Sequence, residues 1–337
     1  KYVEERAAAL PQLTLTAAAA RSRDRSGREL DPGVVGRRSL GSAGLSLTQP
    51  LFTWGQIGAA IRAAQSGMES ASEQVRLSRQ AAMRDVTEAF YDVLLAKDLL
   101  KIARENLEQK RHRLEEVQRR YQAGLATDYD VLAAKVSMEN EQPMVIRAEN
   151  LVVTARDRLG FLLGSEGRNI DVSGELTVAE ISSPAFEDSY AAAVENRPDL
   201  KDLKHRIAMS GEHVRIADAQ DKPRLDLTGS YGWQATRTDV WSDAGDVLNR
   251  EHVRSDGSLW SAGLNVTWPL FDGLRGRGKT SQARSDLRNL ELEEKKQKDA
   301  VSLQVRQSVT GLREAGEILA ALSGTVGQAE RLLSMAE

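Results

Sequence analysis

Residues 43–52, AGLSLTQPLF, recur in closely matched form as AGLNVTWPLF at residues 262–271, a constant offset of 219 positions. Each copy alternates apolar and polar residues and closes on Pro-Leu-Phe, as expected of an amphipathic strand that ends near a proline. Upstream, PQLTLT at residues 11–16 resembles PRLDLT at residues 223–228. The sequence therefore indicates a duplication in which each copy carries two strands.

A very long helix is predicted after each pair of strands. Its signal is an apolar residue at every seventh position, repeated in the second copy at the same offset of 219. These positions are Val86, Val93, Leu100, Leu107, Leu114 and Tyr121, then Val305, Leu312, Leu319, Val326 and Leu333. No proline interrupts residues 55–123, which would form a helix about 100 Å long. A strict seven-residue repeat predicts coiled-coil packing with a left-handed supercoil.

The first long helix is predicted to turn back within YQAGLATDYDVL, residues 121–132. Gly124 suits the position just past a helix end, where the backbone is left-handed. Thr127, followed three residues later by Asp130, fits a capping box at the start of a return helix. The seven-residue repeat of this return helix is Val131, Met138, Val145, Val152 and Leu159. Pro143 lies inside the return helix and is predicted to bend it.

The strands of the second copy are predicted to gather aromatic residues on one apolar face. That face consists of Leu225, Leu227, Gly229, Tyr231 and Trp233 in the third strand, and of Trp260, Ala262, Leu264, Val266, Trp268 and Leu270 in the fourth. Amphipathic strands with Trp and Tyr near their ends are typical of membrane β-barrels. The predicted membrane-interface aromatics are Tyr231, Trp233, Trp260 and Trp268. Four strands cannot close a barrel, and open edges are excluded from lipid, so this interpretation requires an oligomer. The alternative is the edge of a soluble sandwich.

Composition argues against several classes of function. The 337 residues carry a net charge of −3, which gives no reason to expect a nucleic-acid partner. The segment has no cysteine, which excludes disulfides, iron–sulfur ligation and thiol catalysis within it. No nucleophile–base pair or acid pair stands out, so no catalytic residue, no cofactor and no enzymatic activity are predicted. The four histidines, His112, His205, His213 and His252, have no metal-ligand spacing, and no metal site is predicted.

One motif nevertheless points to nucleotide chemistry. Gly273, Gly278, Lys279 and Thr280 fit the phosphate-loop pattern G-x-x-x-x-G-K-[ST], between a strand-like and a helix-like run. At the offset of 219, the last three correspond to Ala59, Ala60 and Ile61, so the first copy makes the same passage without phosphate chemistry. Only helical pattern follows the motif, with no strand for an acidic magnesium ligand. The stretch is therefore predicted to be a glycine-containing entry to a helix, and a phosphate-loop hydrolase is disfavoured.

This organisation resembles the TolC-like outer-membrane efflux protein family, also called outer membrane factors. The resemblance rests on the duplicated strand–Pro-Leu-Phe–helix unit and on three stretches: RRYQAGLATDYDVLAAK (119–135), RAENLVVTARDRLGFLLG (147–164) and ENRPDL (195–200). It implies a mixed α/β fold, in which long antiparallel helical hairpins form a coiled-coil-like tunnel. Four amphipathic antiparallel strands would contribute to a trimeric 12-stranded membrane β-barrel.

The resemblance also implies a function. Such a protein is a passive exit duct of a tripartite efflux or type I secretion system, and exports small molecules or proteins. It would lie in the outer membrane of a Gram-negative bacterium, with its helical part in the periplasm. Its implied partners are two further copies of itself, outer-membrane lipid, a periplasmic adaptor protein and an inner-membrane transporter. A periplasmic adaptor or another coiled-coil interaction protein is the alternative, although it would not explain four amphipathic strands with tryptophan near their ends.

Pattern and resemblance together predict how the chain is divided. The strand pairs are residues 11–53 and 223–271, with extracellular loops at about 21–39 and 237–257, and helical segments 1–10 and 199–222 lead into them. Residues 54–163 form the first helical hairpin with its tip at 121–130, residues 164–198 the equatorial region, and residues 272–337 the second long helix. That helix is expected to be truncated before its own tip, which makes the protomer incomplete.

The hairpin tip is the predicted contact for the adaptor, because it lies at the far end of helices about 100 Å long. The resemblance implies the same docking site, which consists of Ala123, Gly124, Leu125, Ala126 and Thr127. It also implies that an acidic residue six positions after the glycine lies at the periplasmic aperture of the tunnel. Asp130 occupies that position, where three such carboxylates would attract cations.

Overall fold

The computed structural model describes residues 1–24, 35–165, 170–177, 184–244 and 247–336. The elements are α1 (Tyr2–Ala7), β1 (Gln12–Asp24), β2 (Val35–Phe52), α2 (Gln56–Gln122), α3 (Asp128–Glu139), α4 (Gln142–Leu162), α5 (Phe186–Asn196), α6 (Pro198–Ala219), β3 (Arg224–Ala244), β4 (Val247–Thr267) and α7 (Arg275–Ala336). The order helix, strand, strand, long helix therefore occurs twice, as the duplication predicts. The predicted mixed fold of long helices and four antiparallel strands is confirmed.

Two compact units make up this fold. Unit 1 consists of Lys1–Glu73 and Asp199–Ala300, and it contains the whole sheet. Unit 2 consists of Gln74–Pro198 and Val301–Glu337, and it contains the helical hairpin. The long helices α2 and α7 contribute residues to both units.

The sheet of unit 1 is antiparallel and has the order β1-β2-β3-β4. Its apolar residues lie directly opposite one another, because the register is unbroken over most of its length and side chains alternate between the two faces. One row across the four strands is Leu15, Leu45, Tyr231 and Trp260, and the next is Leu13, Leu47, Gly229 and Ala262. Within the described part of the strands, the register shifts only near Pro50, which has no N–H to donate to the ladder.

The opposite face of the sheet is largely hydroxylic. A row across it consists of Thr14, Ser46, Ser230 and Ser261, and the Oγ atoms of Ser230 and Ser261 are 2.8 Å apart. Leu40, Val253 and Leu259 are exceptions, since they lie on this polar face. The predicted division of β3 and β4 into an apolar and a polar face is confirmed within the strands.

The strands run further than predicted. Strand covers most of the two segments that were predicted to be loops, residues 21–39 and 237–257. β1 continues to Asp24 and β2 begins at Val35. Only residues 245–246 separate β3 from β4. The loop boundaries were wrong because they followed polar composition, whereas the ladder is made of backbone hydrogen bonds that polar residues form equally well. The remaining loop residues, 25–34 and 245–246, lie outside the described residues.

The core of unit 2 forms where the seven-residue repeats predict it. Val93 of α2 is 0% exposed and Leu159 of α4 is 3% exposed. They pack in one cluster together with Ala89, Leu94 and Val172, flanked by Val86, Phe90, Ala155, Leu162 and Ile170. Alanines at the neighbouring positions of the repeat let α2 and α4 approach each other, as expected of closely packed helices.

The return helix is interrupted next to Pro143. It ends at Glu139 and begins again at Gln142, so Pro143 lies in the first turn of α4. A proline is tolerated there because the first N–H groups of a helix have no intrahelical acceptor. The disturbance of the helix next to this proline is therefore confirmed, and the bend itself stays a prediction.

An ion-paired aspartate holds the segment that follows α4. Asp171 Oδ1 lies 2.6 Å from Lys97 Nζ and 2.7 Å from Arg156 Nη2, and the ammonium of Lys97 also donates to the carbonyl of Val172. The hydrogen bond from Lys97, the backbone N–H of Val172 and the charge of Arg156 lower the pKa of Asp171. These contacts fix Val172, which is buried in the core cluster, against α2 and α4.

The last part of α7 presents its apolar repeat to solvent. Leu312, Leu319 and Val326 are 38%, 40% and 56% exposed, whereas Val93, which corresponds to Leu312 in the first copy, is 0% exposed. Burying this stripe would require helices other than those described in this chain. Among the described residues, no helix combines the length and the apolar character needed to span a membrane.

The core cluster of unit 2 allows a test of how α2 and α4 pack together. Leu159→Ala should lower the free energy of unfolding by about 2–4 kcal/mol, because it leaves a cavity in a closely packed site. Leu151→Ala is the matched control, since Leu151 lies on the same helix and is 45% exposed. Denaturant unfolding followed by circular dichroism measures both. Equal losses in the two variants would contradict the assignment of Leu159 to the core.

Candidate hairpin tip and membrane-facing site

The tip of the hairpin is a tightly hydrogen-bonded turn. The N–H of Gly124 donates to the carbonyl of Tyr121 at 2.9 Å, and the N–H of Leu125 donates to that of Arg120 at 2.8 Å. This pair of bonds is the Schellman motif, which ends a helix on a residue with left-handed backbone. Gly124 has φ +74°, and an added Cβ would meet no atom within 4 Å. Backbone conformation rather than space therefore selects glycine here.

The start of α3 is closed by the predicted capping box. Thr127 Oγ1 accepts from the N–H of Asp130 at 3.3 Å, and Asp130 Oδ2 accepts from the N–H of Thr127 at 2.8 Å and from its hydroxyl at 2.7 Å. These hydrogen bonds lower the pKa of Asp130, the backbone N–H contributing most. Asp130 is consequently a carboxylate at neutral pH and part of a rigid turn.

Between these two motifs the tip exposes apolar side chains. Leu125 is 79% exposed and Tyr129 is 77% exposed, while Ala126 is half-buried. The structure thus brings Ala123–Thr127 and Asp130 into one turn, as predicted. Tyr129 was missed by the sequence analysis, although an aromatic residue between two aspartates in the first turn of a helix was an available signal.

An aspartate at the start of α3 acts on the tyrosine at the end of α2. Interaction with the carboxylate of Asp128 raises the pKa of Tyr121. Tyr121 was predicted as the last residue of the apolar repeat, yet it is 44% exposed. The hydroxyl end of Tyr121 therefore lies at the turn, and the pattern of apolar residues does not predict this position.

The predicted membrane-interface aromatics fall into two groups. Tyr231 and Trp260 are direct cross-strand neighbours, 60% and 73% exposed, and Trp233 lies two residues from Tyr231 on the same face. Trp268 was predicted on the same face of the fourth strand, together with Leu270, but β4 ends at Thr267. Pro269, two residues beyond Thr267, cannot donate to the ladder, which accounts for the strand end. The facing of Trp268 and Leu270 stays a prediction.

The phosphate-loop motif has a different role in the structure. Gly273 and Leu274 have φ of +70° and +69°, and their counterparts in the first copy, Trp54 and Gly55, have φ of +52° and +79°. The glycine therefore serves a turn that the first copy makes without phosphate-loop residues.

Carboxylates occupy the start of α7, where a phosphate would bind. Asp272 Oδ2 accepts from the N–H of Gly276 at 2.6 Å, and Asp221 lies so close to Gly276 that a Cβ there would be 1.6 Å from its Oδ1. Lys279 Nζ donates to Gln220 Oε1 at 3.0 Å. Since negative charge already fills this helix start, the arrangement argues against a phosphate site.

The histidines of the described side chains do not converge with other ligands. His205 Nδ1 lies 3.0 Å from Glu69 Oε2, and His112 lies within 3.7 Å of Glu108 and Glu115 on its own helix. Within the described residues, no group of three or more potential metal-ligating side chains is present. The side chain of His252 lies outside the described part.

The cap at Asp130 generates a prediction about pH. Because its pKa is lowered in the folded protein, the carboxylate stabilises the turn above the ordinary aspartate pKa. This contribution is lost as the pH falls through the lowered pKa. Asp130→Ala should therefore speed hydrogen exchange of residues 125–132 at neutral pH, and the difference from wild type should shrink in acid. Asp157→Ala, at an exposed position of α4, is the control and should leave this segment unchanged. A difference that is independent of pH would contradict the charged cap.

Comparison with known proteins identifies the family. The family described as "Outer membrane efflux protein" matches residues 1–165 and 190–337. Outer membrane protein OprJ of Pseudomonas aeruginosa is 28% identical, over 99% of this chain and 65% of its own length. Protein CyaE of Bordetella pertussis is 27% identical, over 73% of this chain and 50% of its own. The chain thus spans between half and two thirds of these relatives.

The solved structures agree on the fold. The open state of the Neisseria gonorrhoeae MtrE outer membrane channel superposes with a TM-score of 0.71, covering 99% of this chain and 72% of that one, at 18% sequence identity. At this identity the likeness concerns the fold alone, and it extends over both units. The family match covers all four strands and both long helices. The chain is therefore an outer-membrane protein and belongs to the outer membrane efflux protein family.

Proposed function

We propose that this chain forms one third of a passive outer-membrane exit duct that serves a tripartite efflux or type I secretion system. The observation that carries the proposal is the sheet of unit 1, which has an exposed apolar face and a polar face. Leu13, Leu15 and Trp260 are 68%, 71% and 73% exposed on the apolar face. A sheet with one apolar and one hydroxylic face suits a barrel wall between lipid and water.

The edges of the sheet support an oligomer. Among the described residues, β1 pairs only with β2, and β4 pairs only with β3. In lipid, the backbone groups along such edges need a partner, so an open four-stranded sheet is excluded there. Three copies joined edge to edge close a 12-stranded barrel, which matches the trimer that the family resemblance implies.

The helices support side-by-side packing with further helices. In α2, the face away from Val93 exposes Leu95, Leu99 and Ile102, which are 48%, 42% and 52% exposed. Together with the exposed stripe of α7, these residues give the helices apolar surface on more than one side. Helices in a tunnel wall have neighbours on both sides, so neighbouring copies in the trimer account for this surface.

The tip supports a contact with a periplasmic adaptor protein, which would join the duct to an inner-membrane transporter. Leu125 and Tyr129 project from a turn that the Schellman motif and the capping box hold rigid. Exposed apolar side chains on a preorganised turn suit a docking site, because little conformational entropy is lost on binding. The duct itself needs no catalytic residue, and its transported substrates are small molecules or proteins.

The first test of the duct is its assembly. The full-length protein, purified in detergent, should have the mass of a trimer and should form conducting channels in planar bilayers. The physical reason is that each sheet leaves two edges that only other copies can pair. Light scattering that corrects for bound detergent gives the mass. A stable monomer that inserts into lipid would contradict the proposal.

The second test separates docking from gating at the tip. Gly124→Val should abolish adaptor-dependent export while trimers persist, because valine is strained at the left-handed φ of this turn. Asp130→Ala and Asp130→Asn should both raise single-channel conductance and lower cation selectivity, since each removes the aperture carboxylate. Asparagine still offers an acceptor for the cap, so it isolates the effect of charge. If Asp130→Asn conducts as wild type does, Asp130 is a helix cap and the aperture role is wrong.

A further inference from the structure

Three arginines lie in one row across the sheet. Arg21 of β1 pairs with Ser39 of β2, Ser39 pairs with Arg237 of β3, and Arg237 pairs with Arg254 of β4. Directly paired residues of antiparallel strands point to the same face, so the three side chains lie side by side. We call Arg21, Arg237 and Arg254 the arginine row.

The arginine row shares a face with the apolar residues. It lies six residues beyond the row of Leu15, Tyr231 and Trp260 in all three strands, and no register shift intervenes. Six is an even number, so the side chains point to the same side of the sheet, about 20 Å further along the strands. The arginine row therefore stands on the apolar face, beyond Tyr231, Trp233 and Trp260, towards the end of the sheet where β3 is followed by β4.

The guanidinium groups are accessible and loosely paired. The side chains of Arg237 and Arg254 are 64% and 76% exposed, and Arg21 is also exposed. Each of the first two contacts the aspartate two residues further along through Nε, at 3.4 Å from Asp239 and 3.6 Å from Asp256. These distances exceed the 2.7–2.9 Å of a strong charge-assisted hydrogen bond, and exposed pairs of this kind stabilise little.

We propose that the arginine row binds the phosphate groups of anionic lipid headgroups in the outer leaflet of the outer membrane. The inference rests on the proposed function, which sets the apolar face against lipid and the hairpin turns outside the cell. Aromatic side chains at the headgroup level mark the boundary of the hydrocarbon layer. Arg237 lies four residues, about 13 Å, beyond Trp233 along β3. Long arginine side chains can reach back from there to headgroup phosphates, and the planar guanidinium matches a phosphate with two parallel hydrogen bonds.

The opposite face of the sheet supplies a matched control. Arg38 of β2 pairs with Ser22 and Thr238, so it lies one position from Ser39 and on the other face. In the proposed barrel that face is turned away from lipid. Arg38→Gln therefore makes the same chemical change as Arg237→Gln at nearly the same height of the sheet, without touching the arginine row.

The test is a lipid titration of the full-length protein in detergent, read by native mass spectrometry. The probes are lipid A with both of its phosphates, the same lipid with its phosphates removed, and inorganic phosphate alone. Arg237→Gln should weaken binding of phosphorylated lipid A about fivefold, and the triple variant Arg21→Gln/Arg237→Gln/Arg254→Gln should weaken it by about a hundredfold. Arg38→Gln should bind as wild type does, and the dephosphorylated lipid should not distinguish the variants.

Three outcomes would overturn the proposal. They are unchanged binding by the triple variant, equal losses in Arg237→Gln and Arg38→Gln, and an affinity for inorganic phosphate that equals that for phosphorylated lipid A. If the triple variant fails to assemble, the comparison of the two single variants decides. Failure of the duct proposal is distinguishable, because a wild-type protein without trimers or conductance contradicts that proposal whatever the lipid titration shows.

Discussion

A strand edge must be paired wherever it meets lipid, and this constraint governs the rest of the structure. The sheet has one exposed apolar face and two edges that the described residues leave open. Water would penalise the apolar face, and lipid would penalise the edges. In the proposed trimer, lipid covers the apolar face and neighbouring copies pair the edges. The same consideration extends to the helices, because the described residues leave part of their apolar repeats exposed.

Duplication explains how one sequence provides both the four strands and the two long helices. Each copy delivers two strands and one long helix, and the turn from the second strand into the helix is made twice by residues with positive φ. In the first copy Trp54 stands in this turn, where its indole Nε1–H donates to the carbonyl of Pro223 at 2.6 Å. In the second copy Gly273 occupies the place of Trp54, and it completes a phosphate-loop motif by coincidence. Asp272 caps the start of α7. The backbone requirement was kept while the side chains diverged.

Much of the fold and the candidate site could be predicted from periodicity, because periodicity reports which side of an element is buried. The repeats placed Val93, Val152 and Leu159 on buried faces, and the alternation placed Tyr231 and Trp260 on one face of the sheet. Gly124, Thr127 and Asp130 were predictable because turn chemistry is local in sequence.

Other features could not be predicted, because they depend on partners distant in sequence or on the backbone alone. The ends of β1, β3 and β4 lie in polar sequence, where the ladder continues and the apolar signal does not. The contacts of Lys97 and Arg156 with Asp171 join residues that no pattern relates. The arginine row is recognisable only when the register of all four strands is known, since its members lie in three different strands and have no common motif.

The central claim is that the apolar face of the sheet lies in lipid and the other face in water. Because this segment has no native cysteine, single cysteines placed at positions 260 to 266 of β4 can carry a spin label in the full-length protein. Accessibility to oxygen, which partitions into lipid, is then compared with accessibility to a water-soluble nickel chelate. We predict alternation, with positions 260, 262, 264 and 266 favouring oxygen and positions 261, 263 and 265 favouring the nickel chelate. Equal aqueous accessibility at all seven positions would contradict the claim.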